Sequence, residues 1–210
     1  MRIKVALGIW LLGITLAWMA VVPPDLGVTP LVDAQGAALG WWQLRQHAIY
    51  LSGLWSIGLM SLIMLLALRL PLFDRLMGGM DQVYRLHKWT GMAAALSAMV
   101  HWGAKESSGL IKSLWGRVGR PEHDAVLPWL TDARGFAKDL GEWAFYLLLA
   151  MVALTLLSRL LPYKPWRLLH RAMPVLFLAL VLHTVALMPL TFWALPLGLL
   201  VGTLLALGSV

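Results

Sequence analysis

The stretch Tyr84–Gly103, YRLHKWTGMAAALSAMVHWG, places His87 and His101 fourteen residues apart in a run that otherwise resembles a membrane helix. A second stretch, Arg167–Thr184, RLLHRAMPVLFLALVLHT, carries two more histidines, thirteen residues apart. An ionisable side chain is costly inside a membrane and by default indicates a functional site. The two stretches therefore point both to a membrane fold and to a site within it.

The composition of the whole chain agrees with a membrane protein. Of its 210 residues, 60% are hydrophobic and only 13% are charged, and the mean hydropathy is +0.76. Soluble domains carry about a quarter charged residues. There is no cysteine, which excludes disulfides, thiolate metal sites, iron–sulfur clusters and covalently attached heme.

Six stretches are long enough to cross a bilayer, which takes roughly 20 mostly apolar residues. They are Val5–Val22, Ala48–Leu68, Leu86–Gly103, Trp143–Leu161, Leu168–Met188 and Leu190–Leu207. The first stretch could be a signal peptide, but it ends in VVPPD without a small-residue cleavage site, so we expect a retained helix. The sequence predicts an all-α membrane protein in which residues 1–210 form a single six-helix transmembrane bundle.

The distribution of basic residues predicts the orientation of this bundle. With a cytoplasmic N-terminus, the cytoplasmic side holds ten of the 17 basic residues and two of the ten acids. The basic ones are Arg2, Lys4, Arg69, Arg75, Arg85, Lys88, Arg159, Lys164, Arg167 and Arg171, and the acids are Asp74 and Asp81. This is the positive-inside pattern. It predicts cytoplasmic termini in a cell (inner) membrane, and it explains the net charge of +7 without nucleic-acid binding.

Two longer connections are expected on the external side. Pro23–Gln46 has the composition of an interfacial segment, and Ala104–Gly141 contains a short amphipathic stretch that Ser107 or Ser108 could cap as a surface helix. Neither a GxGxxG nor a P-loop pattern is present, so the sequence has no visible site for NAD(P)H.

The four histidines are predicted to form two layers. The third and fifth spans run in the same direction, so His87 lies level with His170, and His101 lies level with His183. Fourteen helical residues rise about 21 Å, within a hydrocarbon core of about 30 Å. Each layer therefore contains one imidazole from each span.

Two imidazoles at one depth can clamp a planar metal cofactor. A bare zinc or copper ion would need further ligands, and the spans offer no Cys, Asp or Glu between the paired histidines. A heme supplies four nitrogens of its own and needs only two axial ligands. The small residues between Gly91 and Ala98 suit either a flat macrocycle or a closely packed neighbouring helix.

Helix phase places one pair well and the other poorly. At about 100° per residue, His101 falls about 40° from His87, whereas His183 falls about 140° from His170. Pro174 lies between the latter two and cannot donate a hydrogen bond to the carbonyl of residue 170. The sequence therefore predicts a kink or a π-bulge near Pro174 that rotates the downstream half of the fifth span.

Other interpretations of the histidines remain open at this point. Taken singly, each imidazole fits an inter-helix hydrogen bond. A transporter or proton-relay protein would use the histidines as titrating groups in a water-filled path, although the spans carry no acid until Glu142. A structural scaffold would leave their spacing to chance. His47 and His123 lie at or beyond the ends of spans and need no function.

Four short motifs resemble the ferric reductase transmembrane family, which includes the NADPH oxidases and, as a relative, the heme subunit of the periplasmic methionine-sulfoxide reductase. RLHKWTG is followed by VHW in the third span, and RLLHR is followed by LHT in the fifth. The resemblance covers roughly Ala48 to Met188 and includes the spacing of all four histidines.

The resemblance implies two heme b groups between the third and fifth spans, bound by His87 with His170 and by His101 with His183. Electrons would pass from FAD or FMN, reduced by NAD(P)H, to ferric iron, dioxygen or a periplasmic partner. No separate catalytic residue is implied. Larger relatives continue into flavin and NAD(P)H domains, whereas this sequence ends at LALGSV. We therefore expect a membrane oxidoreductase component that contacts lipid and depends on a flavin reductase domain or subunit.

Overall fold

The computed structural model describes residues 2–22, 38–120, 124–157, 163–194 and 196–209, and these residues form helices and no strands. The α-helices are α1 (Arg2–Met19), α2 (Leu39–Ala67), α3 (Pro71–Met77), α4 (Met80–Glu106), α5 (Ser108–Trp115), α6 (Arg134–Leu156), α7 (Tyr163–His170), α8 (Met173–Leu187) and α9 (Leu197–Gly208). The prediction of an all-α protein is confirmed for the described residues.

Three segments are long and apolar enough to cross a membrane: Leu39–Ala67, Arg134–Leu156 and Pro165–Leu187. Apolar helices α1 and α9 are shorter, and α4 is 27 residues long but carries charged residues in both end turns. The three long segments support a membrane protein. The six-span bundle stays a prediction for the remaining helices.

Two helices begin earlier than the hydropathy pattern predicted. Both α2, which starts at Leu39, and α6, which starts at Arg134, begin nine residues before the expected span. The extra turns contain polar residues such as Arg45 and Lys138, which lower the local hydropathy without breaking the helix. Helix α2 therefore takes up the end of the predicted connection Pro23–Gln46, whose first fifteen residues lie outside the described part of the chain.

The core is centred on α2, and helices α1, α4, α6, α8 and α9 also contribute buried apolar side chains to it. Helix α2 packs extensively along α4 and also contacts α9, while α6 packs along α8. Among the most buried apolar side chains, Leu59, Met60, Ala94, Phe177 and Leu197 are at most 1% exposed. Helix α2 is therefore the central element on which the others assemble.

The small residues of α4 face α2. Ala94 is fully buried and its carbonyl accepts a hydrogen bond from the Ser56 hydroxyl of α2 at 3.4 Å. A Cβ built on Gly91 would lie 3.9 Å from Ile63 of α2. Small side chains let two helix backbones approach closely. Most of this stretch therefore serves helix packing, although Ala98 also lines the cavity described below.

The short surface helix is present, but its predicted cap is wrong. Helix α5 begins at Ser108, and no side-chain capping bond is made at its N-terminus. The Ser107 hydroxyl donates instead to the carbonyl of Ala104 at 2.8 Å. Because Ser107 itself has helical backbone angles, α5 follows α4 almost without interruption, and the serine bonds back into the preceding turn.

The fifth predicted span is broken between its two histidines. Helix α7 ends at His170, and α8 begins at Met173 after a turn formed by Arg171 and Ala172. The Ala172 N–H bonds the carbonyl of Leu169 at 3.0 Å, a contact three residues back that is typical of 3₁₀ geometry. The expected interruption exists, as a tight turn and not as a kink or π-bulge.

Pro174 lies in the first turn of α8. A proline there loses nothing by lacking an N–H, because the first helical N–H groups have no partner within the helix. Residues in 3₁₀ geometry advance about 120° each, against about 100° in an α-helix. The turn therefore rotates His183 toward the side of the chain that carries His170.

Replacing Pro174 with alanine should join α7 and α8. Residue 174 would then gain an N–H able to bond the carbonyl of residue 170. Nitroxide labels attached to cysteines introduced at the exposed positions 168 and 182 report this change by pulsed electron paramagnetic resonance. The chain has no cysteine of its own, so no other position is labelled. We expect the distance to shift toward that of a continuous helix, about 21 Å between the backbones.

Labels at positions 175 and 182 provide the control, because Val175 and Leu182 are both exposed and lie within α8. Their separation should not change on Pro174→Ala. An unchanged distance between positions 168 and 182 would contradict the role assigned to the proline.

Candidate functional site

The structure brings the four histidines together as two pairs. The rings of His87 and His170 have centroids 6.2 Å apart and planes inclined at 63°. The rings of His101 and His183 have centroids 6.3 Å apart and planes inclined at 84°. We call these the inner pair and the outer pair. Each takes one histidine from α4 and one from α7 or α8, so α4 runs parallel to the α7–α8 segment.

Both rings of the outer pair are held by main-chain carbonyls. His101 Nδ1 lies 2.8 Å from the Ile49 oxygen of α2, and His183 Nδ1 lies 2.8 Å from the Ala137 oxygen of α6. A carbonyl oxygen only accepts hydrogen bonds, so each Nδ1 must carry the ring proton. The Nε2 atoms are then unprotonated, which is the state in which imidazole binds a metal.

A glycine makes each of these contacts possible. Gly53 lies one turn beyond Ile49, and a Cβ there would be 3.0 Å from His101 Nδ1. Gly141 lies one turn beyond Ala137, and a Cβ there would overlap the ring of His183. The sequence analysis missed both glycines. The available signal was glycine inside a helix, which costs about 1 kcal/mol relative to alanine and so suggests a packing role.

The inner pair is held differently. The His87 ring lies near the Ile63 backbone on α2. His170 Nδ1 is buried and has no hydrogen-bond partner among the described residues. The ring of His170 stacks instead on Trp166, with centroids 5.3 Å apart and planes inclined at 17°.

These contacts set the direction of the neighbouring helices. Ile49, early in α2, meets His101, late in α4, whereas Ile63, late in α2, meets His87, early in α4. Helix α2 is therefore antiparallel to α4. Ala137, early in α6, meets the C-terminal half of α8 in the same way.

A cavity of about 490 Å³ surrounds the outer pair. Its lining includes both histidines of that pair and apolar side chains such as Leu54, Phe145 and Leu148. Ligand and cofactor pockets typically have volumes of about 300–1,000 Å³. The cavity is therefore large enough for a cofactor that the outer pair could bind. Neither histidine of the inner pair lines it.

The lining of this cavity also carries an excess of positive charge. Five basic residues contribute to it, Arg45, Lys105, Arg120, Arg134 and Lys138, against the acids Glu106 and Glu142. Lys105 Nζ lies 2.7 Å from Glu142 and 3.1 Å from Glu106, and Arg45 donates to the Lys105 carbonyl at 2.8 Å. The cavity therefore suits a ligand that carries negative groups.

His47, the other histidine that the structure describes, stays apart from the pairs. His47 packs edge-on against Trp18, with ring centroids 5.8 Å apart, and does not line the cavity. His123 lies outside the described residues. Within the described ranges, no group of three or more His, Cys, Asp or Glu residues could hold a metal ion. In each pair, two histidines are therefore available to bind a metal ion.

Gly141→Ala should destabilise the folded protein. The added methyl would overlap the His183 ring and force it or α6 to move, and overpacking of this kind typically costs about 1–3 kcal/mol. The matched control is Gly135→Ala on the same helix, where a Cβ meets nothing within 4 Å. That change should be neutral or stabilising, because alanine favours helix by up to about 1 kcal/mol.

Thermal unfolding in detergent, followed by circular dichroism, measures both effects. Equal thermal unfolding midpoints for the two variants would show that the His183 ring does not need the space that glycine leaves at position 141.

Comparison with known proteins gives one family match. Residues 52–181, well over half of the chain, match the family described as "Ferric reductase like transmembrane component". The matched range includes His87, His101 and His170 and ends two residues before His183. No curated protein matches the chain significantly. The chain therefore belongs to the ferric reductase like transmembrane component family, whose general role is oxidoreductase activity by electron transfer across a membrane.

Proposed function

We propose that this chain is the heme-binding membrane component of a flavocytochrome that moves electrons from a cytoplasmic donor to an external acceptor. The inner pair, His87 and His170, would bind one heme b, and the outer pair, His101 and His183, would bind a second. The observation that carries the proposal is the geometry of the two pairs, whose ring centroids are separated by 6.2 and 6.3 Å.

This separation fits one metal ion between two imidazoles. A metal–imidazole bond is about 2 Å long, and the ring centroid lies about 1.1 Å behind the bonding nitrogen. A linear arrangement of two such bonds therefore separates the centroids by about 6.2 Å. Ring planes in that arrangement rotate freely about the common axis, so inclinations of 63° and 84° are both compatible.

The hydrogen bonds and the donor set agree with the same cofactor. In the outer pair the Nδ1–H groups donate to Ile49 and Ala137, which leaves each Nε2 lone pair for a metal. Among the described residues, neither pair has a third His, Cys, Asp or Glu that would complete a site for a bare ion. Two nitrogens suffice only when the cofactor supplies the remaining ligands, as heme does.

The cavity around the outer pair supports a heme there. Its volume is about 490 Å³, and its basic lining residues are suited to the two propionates. A bound heme would supply a one-electron carrier, held by the two histidines of its pair. An external acceptor would then take the electron without binding to the metal.

The family and the predicted orientation support a cytoplasmic donor and an external acceptor. FAD or FMN and NAD(P)H would be bound by a separate domain or subunit on the cytoplasmic side. Ferric iron, dioxygen or a periplasmic partner would accept electrons on the other side. The positive-inside pattern of the sequence favours cytoplasmic termini in an inner membrane.

Two hemes should be present for each chain. Because the chain has no cysteine to tether them, acid acetone should extract both. A pyridine hemochrome assay against protein concentration measures the ratio, and His47→Ala, outside both pairs, serves as the control that keeps two hemes. One heme or none in the wild type would contradict the two-layer arrangement.

Replacing one histidine at a time should distinguish the heme of the inner pair from that of the outer pair. His170→Ala takes one ligand from the inner heme and empties part of its binding site, so that heme should be lost or bound loosely. The outer heme should stay reducible by dithionite but no longer receive electrons from the cytoplasmic side. His183→Ala should give the reverse result: an inner heme reducible from the cytoplasmic side, with little delivery to an external acceptor.

Heme counts, combined with cytoplasmic-side and dithionite reduction of both variants, measure these outcomes. Identical behaviour of the two variants would show that the layers are wrongly assigned. Unchanged heme content in both would show that the histidines are not ligands.

A further inference from the structure

We propose that Trp166 is the positioning residue for His170, and that its indole takes the place of the hydrogen bond that orients the histidines of the outer pair. The inference rests on the proposed bis-histidine binding of the inner heme. Trp166 itself contacts neither metal nor substrate in this role; it acts through His170.

The first observation is that the His170 ring is held differently from the other three histidine rings. His101 and His183 each donate from Nδ1 to a main-chain carbonyl at 2.8 Å, and His87 lies near the Ile63 backbone. For His170, the described part of the chain offers Nδ1 no acceptor, although the atom is buried. A metal-binding imidazole needs its ring orientation fixed from outside the metal. Within the described residues, packing is what remains to do this for His170.

The second observation is the stacked indole. Trp166 lies four residues before His170 on α7, a spacing that places two side chains on the same helix face. Their rings are nearly parallel, inclined at 17° with centroids 5.3 Å apart. The indole covers one face of the imidazole and blocks rotation of the ring about its Cβ–Cγ bond. The partner histidine, His87, approaches at a steep 63° angle and does not compete for this stacked position.

The third observation is that Trp166 is itself anchored. Its Nε1–H donates to the Thr155 hydroxyl of α6 at 3.4 Å. The same hydroxyl donates to the Met151 carbonyl at 2.8 Å, so its hydrogen is already committed and its lone pair faces the indole. A continuous set of contacts therefore runs from α6 through Trp166 to His170. Helix α6 orients His183 as well, through Ala137.

A consequence for the strength of the ligand follows. Donation from Nδ1 to a carbonyl makes the imidazole a more basic and stronger ligand. Within the described ranges His170 Nδ1 finds no such acceptor, so of the two rings in the inner pair it is the one whose metal bond would depend on packing. Removing the indole should let the His170 ring turn and leave the metal.

The rate at which carbon monoxide binds to the purified, reduced protein with both hemes bound tests this. A reduced heme with two histidine ligands takes carbon monoxide only when one ligand leaves. The wild type should bind it slowly. Trp166→Ala should bind it at least tenfold faster at one of the two hemes, and the electron paramagnetic resonance signal of that heme should shift while the other stays unchanged.

Two further variants separate stacking from general damage. Trp166→Phe keeps a flat ring and should stay close to wild type in both measurements. Trp89→Ala removes an indole that is 49% exposed, lies two residues beyond His87 and has no ring contact with a histidine among the described residues; it should behave as wild type. If Trp166→Ala loses the inner heme during purification, Trp166→Phe decides: a retained heme with a wild-type rate supports the stacking role.

Three results would overturn the inference: Trp166→Ala indistinguishable from Trp89→Ala, equal changes at both hemes, or loss of the inner heme in Trp166→Phe. The proposed function fails separately, when the wild-type protein itself lacks two bis-histidine hemes. Two hemes in the wild type, with no effect of Trp166→Ala, would refute the role of Trp166 alone.

Discussion

A ring N–H buried in a membrane bundle has no water to bond with, and in this protein a main-chain carbonyl of the neighbouring helix accepts it. A helical carbonyl has a second lone pair beyond its α-helical bond, and Ile49 and Ala137 use it for His101 and His183. The imidazole must then lie almost against the helix backbone. That requirement sets the spacing of α2 from α4 and of α6 from α8, and it accounts for the glycine one turn beyond each carbonyl.

The two histidine pairs differ in their surroundings although their internal geometry is nearly the same. The outer pair lies in a cavity of about 490 Å³ with five basic residues in its lining. One of them, Lys105, forms ion pairs with Glu106 and Glu142. In the inner pair, the His170 ring stacks on the Trp166 indole and faces the His87 ring. An excess of basic side chains therefore marks the surroundings of the outer pair, and an aromatic contact marks those of the inner pair.

Much of this arrangement could be predicted from the sequence, because it follows from hydropathy and spacing. The helical class, the long apolar segments and the break near Pro174 all depend on local patterns. The early starts of α2 and α6 could not be predicted, because polar residues that face a cavity lower the local hydropathy in the same way as loop residues do. The contact of Gly53 with the His101 ring was also missed, because only the packed bundle brings the two residues together. The stacking of Trp166 on His170 was missed although their four-residue spacing is visible in the sequence.

The turn at Arg171 and Ala172 also has a mechanical consequence. A continuous helix would act as a rigid rod, so a push on one end would tilt the other. Here the eight-residue α7, which carries His170, is joined to α8, which carries His183, by a two-residue turn. The turn interrupts that rod, so the orientation of His170 within its pair is set separately from that of His183.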